Sequence, residues 1–236
     1  MLCSRECAKN SYEEHQVELQ ESGLYYLNCP RGHQTVTCLQ ELKFEVLFDL
    51  GANAIVDGYY REAVTSFASS LERFFEFFIS VICTHNKIDE KVFDQSWKIL
   101  GNLSERQLGA FVMAYLLEYK EKPMLLKNST TKLRNEVVHK GKIPTKLETI
   151  AFGNEVLSLM FPLLDRLNQN NPDAVSSEIS QHVSDAYKKI EGNSKIQFLT
   201  INTIINVRAN GNSVRQSLEQ VLVKLEYQHK RGLKYL

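Results

Sequence analysis

Residues 59–82, YYREAVTSFASSLERFFEFFISVI, place the strongest constraint on the fold. Ala63, Phe67, Leu71, Phe74, Phe75 and Phe78 recur at three- and four-residue intervals, so the segment predicts one long helix with a broad apolar face. A face of that width must be covered by other elements. The stretch before it, LQELKFEVLFDLGANAIVDG, repeats the spacing at 39, 42, 46, 47, 50, 54 and 55 before Gly58 breaks it. Two such helices in succession predict helix-on-helix packing. Phenylalanines 67, 74, 75, 77 and 78 wrap more than one side of the helix and are read as core or a dimer face rather than as a base-stacking platform.

The rest of the chain continues this pattern. VFDQSWKIL (92–100) is a short helix, and Ser104-Glu-Arg-Gln107 has the capping-box form that opens another, running to about 121. KNSTTKLRNEVVHK is a helix with Asn128 or Ser129 as cap and Gly141 as its stop. Thr145-Lys-Leu-Glu148 opens a helix to about Asn168 that Pro162 is expected to kink. Asn171-Pro172 opens a further one ending near Gly192. KIQFLTINTIINVRA (195–209) is rich in β-formers and predicts one or two strands, followed by a helix over about 213–231. The fold class is therefore mainly α: a helical bundle over 39–192, a β-plus-helix tail over 193–236, and a distinct module over 1–38.

That module holds four of the five cysteines, as CSREC (3–7), CPRGH (29–33) and Cys38. Two short knuckles joined by a linker deliver four ligands to one tetrahedral ion in a zinc ribbon. The expected set is Cys3, Cys7, Cys29 and His33, with Cys38 and His15 in reserve. A zinc ion held so would be structural. The opening MLCSRECAKNSYEEHQ lacks an apolar core, and FFEFFISVIC (74–83) is too short to span a bilayer. The expectation is a cytoplasmic protein with reduced thiols and no membrane partner. Cys83 and His85, at the end of the second helix, are read as a buried thiol and a helix-end imidazole.

Basic and acidic residues balance at 28 each, which argues against a wholly basic nucleic-acid coat but leaves room for a local basic groove. Lys132, Lys140, Lys142 and Lys146 bracket one segment, KLRNEVVHKGKIP (132–144). Within it Asn135 and His139 lie four residues apart on one helix face, and the long Arg134 side chain can swing toward them. The imidazole lies in the last turn, where unpaired carbonyls favour its protonated form, a useful place for a general acid. A guanidinium offers bidentate recognition of a phosphate. No P-loop, dinucleotide fingerprint, G-x-S-x-G or carboxylate cluster of a metal-dependent nuclease is present.

Two long amphipathic helices, further helices, and R-N-x-x-x-H closing one of them resemble the HEPN superfamily (higher eukaryotes and prokaryotes nucleotide-binding) over about residues 39–192. EAVTSFASSLERFFE (62–76) resembles that family's second helix. The resemblance implies a metal-independent endoribonuclease with Arg134, Asn135 and His139 as catalytic residues and no catalytic metal. Arg134 would stabilise phosphate charge, Asn135 would orient its neighbours, and His139 would exchange protons with the 2′-hydroxyl or the leaving 5′-oxygen. It also implies a homodimer with two motifs facing each other, and products ending in a 2′,3′-cyclic phosphate. Glu72 or Glu76 would supply acidic support, and Lys132, Lys140 and Lys142 would contact RNA. Such proteins act as toxins or abortive-infection effectors in antiviral defence, on tRNA, mRNA or rRNA, under an antitoxin or a phage-derived activator. Two other readings are a non-catalytic scaffold of the same type that binds a nucleotide or a partner protein, and a zinc-ribbon nucleic-acid adaptor.

Overall fold

The computed structural model describes residues 17–28, 34–190, 195–208 and 215–231. The expected zinc ligands Cys3, Cys7, Cys29 and His33, and the reserve His15, lie outside these residues. The chain divides into two compact units. The smaller comprises Met1–Glu41 with Ile179–Ile201, and the larger Leu42–Glu178 with Asn202–Leu236. This grouping differs from the sequence-based division at 38/39 and 192/193, because strand pairing brings a late segment back beside an early one.

In the smaller unit, β1 (Leu24–Asn28) pairs antiparallel with β2 (Gln34–Leu39), and β2 pairs parallel with β3 (Lys195–Leu199). The first pairing sets Leu24 opposite Cys38; the second sets Cys38 opposite Phe198. Leu24, Val36 and Cys38 share one face and pack with Ala186 and Ile190 from the end of the seventh helix and just beyond it. Cys38, the reserve ligand, is thus a core residue, and burial pushes its thiol pKa up. Among the described residues no group of three metal-ligating side chains comes together. The expected start of the first helix near 39 is corrected: QTVTCL alternates β-branched and apolar residues and forms β2.

The larger unit is helical. Its helices are α1 (Lys43–Val56), α2 (Tyr60–His85), α3 (Glu90–Leu100), α4 (Ser104–Tyr119), α5 (Asn128–Lys140), α6 (Lys146–Asn170), the first part of α7 (Pro172–Lys188) and α8 (Leu218–Lys230). The phenylalanines of α2 are core, as the periodicity requires. Phe74 meets Phe44 of α1 edge-on at 5.3 Å, and Phe75 stacks on Phe111 of α4 at 4.3 Å. Two glycines make room for a third ring. A Cβ on Gly51 would lie 2.6 Å from Phe67, and one on Gly153 of α6 would lie 2.9 Å from the same ring. The helices can approach closely only because both positions lack side chains.

Several helix ends differ from expectation. The N-cap of α4 is Leu103, with Ser104 as the first helical residue; Gln107 instead points inward and donates to Gly101 O at 2.6 Å. Neither Asn128 nor Ser129 caps α5. Glu155 of α6 does so from across the fold, accepting the Lys127 N–H at 2.6 Å and the Thr130 hydroxyl at 2.7 Å. The last helix begins at Leu218, capped by Ser217, rather than near 213. Helix α6 runs on through Pro162 and is long and apolar enough to cross a membrane; half of that stretch is buried within the protein. The β-rich tail forms one strand, and the stretch after it is held by carboxylates. Asp49 accepts the Ile204 N–H at 3.0 Å, and Glu45 accepts those of Val207 at 2.8 Å and Leu42 at 2.6 Å.

The Thr145–Glu148 capping box of α6 is present as the sequence predicts. Glu148 accepts the Thr145 N–H at 2.8 Å and a hydrogen bond from Lys142 at 2.9 Å, which together hold its carboxyl down to about 2. A lowered folded-state pKa stabilises the fold fully above the ordinary value of 4.5, and this contribution fades as pH falls toward about 2. Wild type should therefore be more stable than Glu148→Gln at neutral pH, with the gap closing between pH 4.5 and about 2. Urea unfolding of both proteins across that range checks this; a constant gap would contradict it.

Candidate functional site

Helix α5 ends sharply. Gly141 adopts φ +71°, which a residue with a side chain disfavours, and the Lys142 N–H returns to Glu136 O at 3.1 Å. This stop fixes His139 in the last turn, exposed, one turn beyond exposed Asn135. Val137 faces the core, so the helix cannot roll and carry these side chains elsewhere.

The structure brings Arg134, Asn135 and His139 together. One terminal nitrogen of the guanidinium donates to Asn135 Oδ1 at 3.0 Å and lies 3.2 Å from His139 Nε2. The other donates to Glu72 of α2 at 2.6 Å and to the Ser104 hydroxyl of α4 at 3.2 Å. Arg134 is only 17% exposed and Glu72 28%, so the pair is shielded from bulk water on one edge. The guanidinium is thereby anchored from within on one nitrogen and turned toward the surface on the other.

A guanidinium has donors only, so in this contact Arg134 can only donate toward His139 Nε2.

Of the two acidic candidates, Glu72 reaches the cluster. Glu76 does not: it pairs with Arg73, whose other terminal nitrogen donates to Gln107 at 3.1 Å, and burial raises its carboxyl pKa more than Arg73 lowers it. Nor do the lysines form a free basic patch. Lys142 lies 2.9 Å from Glu148 and 3.5 Å from Glu136, Lys146 pairs with Glu226 at 3.1 Å, and Lys132 is 4.0 Å from Glu136. Lys132 and Lys142 line a groove between α5 and α6 with three carboxylates, those of Glu136, Glu148 and Glu155. Lys140 is exposed next to His139.

Ser104 is the participant that sequence reasoning missed. Its place in S-E-R-Q predicts a capping role, and nothing local signals that a residue thirty positions away uses its hydroxyl. Elsewhere, Cys83 has a thiol pKa raised by burial and then by Glu178, which makes it a poor nucleophile. His85 lies 3.8 Å from Glu118. Where α4 meets α6, Arg166 lies over the Tyr119 ring at 3.9 Å, and burial pushes the Tyr119 phenol up to about 12. Comparisons with protein-family models, with curated proteins and with solved structures found no match.

Proposed function

We propose that the chain is a metal-independent endoribonuclease of the HEPN type, working with a second copy of itself. The observation that carries this reading is the Arg134 guanidinium held between an internal carboxylate and an exposed imidazole nitrogen. In the reaction, Arg134 binds a non-bridging phosphate oxygen and balances the charge that grows on phosphorus. His139 Nε2 takes the proton of the ribose 2′-hydroxyl. The 2′-oxygen attacks phosphorus, the bond to the 5′-oxygen breaks, and that oxygen leaves with a proton from solvent. The products are a 2′,3′-cyclic phosphate and a 5′-hydroxyl. Asn135, hydrogen-bonded to the same guanidinium nitrogen, keeps the fork turned outward. Lys140 supplies a further phosphate contact. A toxin or antiphage effector acting on tRNA, mRNA or rRNA, restrained by an antitoxin or released by a phage-derived activator, is the biological setting we propose. Zinc on the N-terminal cysteines would be structural.

The test is incubation of purified protein with total RNA and with single-stranded DNA in excess EDTA. RNA is expected to be cut and DNA spared, because only RNA carries the 2′-hydroxyl. Activity that needs added divalent metal, with the fold retained in EDTA, would overturn the reading.

One observation favours a second reading. Both terminal nitrogens of Arg134 already have partners within the chain, so the cluster also serves as a clamp joining α2, α4 and α5. In that reading the domain is a non-catalytic scaffold, and His139→Ala keeps full biological effect.

A further inference from the structure

Ile143 and Leu147 follow the end of α5, and they leave 79% and 80% of their surface in water. Among the described residues no other large hydrophobic exceeds 68%. Single exposed aliphatics are ordinary on a protein surface. Here the two extremes of the chain lie four positions apart, in the turn that follows His139.

That turn is braced. Gly141 takes the left-handed conformation, and the Lys142 N–H returns to Glu136 O at 3.1 Å. The Lys142 ammonium lies 2.9 Å from Glu148 and 3.5 Å from Glu136. Pro144 is buried, and its ring restricts Ile143 before it to extended backbone conformations. Thr145 caps α6 and Thr149 is fully buried, which fixes the first turn of that helix with Leu147 exposed. Two aliphatic side chains are thus held in water by a fixed backbone, at a cost that nothing within the chain returns.

The setting of this tip selects its occupant. From His139 to Leu147 the chain holds Lys140, Lys142 and Lys146 and no acidic residue. Lys142 and Lys146 are engaged by Glu136, Glu148 and Glu226, so the tip lacks the cluster of free lysines that holds an apolar loop on anionic lipid. Two side chains also fall far short of the roughly 800 Å² per partner of a stable protein interface. The face of a single nucleobase, flat and apolar, matches them in size. Lys140, exposed and next to His139, remains for the phosphate that carries such a base. Ile143 lies at most about 14 Å along the chain from His139, the span of a few nucleotides.

We infer that Ile143 and Leu147 form an apolar wedge against the face of an unpaired base close to the cut, so that the substrate is single-stranded or looped RNA. The inference rests on the nuclease reading for its class of ligand and adds the part of RNA that the site selects. In a duplex both faces of each base are covered by stacked neighbours, and the wedge finds no seat.

The experiment measures binding of the full chain to a hairpin RNA with 2-aminopurine in its loop, and to a fully paired duplex containing the loop sequence. His139→Ala serves as the parent so that the RNA stays intact. The loop fluorescence is expected to change when the parent binds, because the stacking of the analogue changes. Ile143→Ser and Leu147→Ser are each expected to weaken hairpin binding about tenfold, the loss of one partly covered aliphatic side chain. Both should keep the parent's melting temperature, since neither side chain is packed. Ile143→Trp, with a larger stacking surface, is expected to bind at least as tightly as the parent. The duplex is expected to bind weakly and alike to all of these proteins. No hairpin binding by the parent, serine variants that bind as the parent does, or a duplex bound as tightly as the hairpin would each overturn the inference. Serine variants that keep RNA affinity but lose binding to phosphatidylserine vesicles would assign the tip to a membrane and overturn it as well. A wild type that cuts RNA while the serine variants bind and cut alike would sink the wedge and spare the nuclease reading. Hairpin binding that depends on Ile143, with a wild type that cuts nothing, would do the reverse.

Discussion

His139→Ala is expected to lower the rate of RNA cleavage by about 10²–10⁴-fold, the range that a positioned proton acceptor contributes. The same change should leave the melting temperature within a degree or two, because the imidazole is exposed and its neighbour Arg134 keeps Glu72, Ser104 and Asn135 as partners. Arg134→Ala behaves differently. It should abolish cleavage and also cost about 1–3 kcal/mol of stability, because Glu72 is left half-buried without its cation. Arg134→Lys separates charge from shape. One ammonium cannot reach Glu72, Ser104 and Asn135 together, so most activity should still be lost. Kinetics and thermal unfolding on the same preparations decide the matter. A His139→Ala protein that cuts RNA at the wild-type rate would remove the imidazole from the mechanism.

The second large effect concerns the fold. Glu45→Ala is expected to destabilise the protein by about 3–5 kcal/mol, or roughly 10 °C in melting temperature. Glu45 is fully buried and its two oxygens accept the backbone N–H groups of Leu42 and Val207. Removing them leaves two donors with no water to turn to. The isosteric Glu45→Gln should recover little, since its amide nitrogen would be forced against one of those N–H groups. A small effect from either variant would mean that the 202–208 segment is not held by this carboxylate.

How much of this was legible in the sequence follows the range of the interactions. The three- and four-residue spacing of Phe67, Leu71, Phe74 and Phe78 is local, and it disclosed α2, its buried face and the mainly helical class. Gly141 and Thr145–Glu148 are also local signals, and they marked the end of α5 and the start of α6. What failed was long-range. No spacing reveals that Glu155 caps α5 or that Glu45 holds Val207 across the fold. Ser104 matched a capping box, yet its hydroxyl serves Arg134. The parallel partner of β2 comes from more than 150 residues further on, beyond any local pattern. At the site, R-N-x-x-x-H was legible, and so was Glu72 as one of two candidates. The choice between Glu72 and Glu76 needed the third dimension: one helical turn decides which carboxylate meets Arg134 and which meets Arg73. The carboxylate partners of the lysines were hidden for the same reason, because Glu148 and Glu226 arrive from α6 and α8.

The central claim is that one guanidinium and one imidazole direct a ribose hydroxyl onto its own phosphate. The most direct measurement is the chemistry of the cut ends, read by mass spectrometry on a short RNA treated with wild-type protein in EDTA. The account predicts a 2′,3′-cyclic phosphate on one fragment and a 5′-hydroxyl on the other, both absent with His139→Ala. Fragments ending in a 3′-hydroxyl and a 5′-phosphate would contradict it, because water rather than the neighbouring sugar would then have attacked.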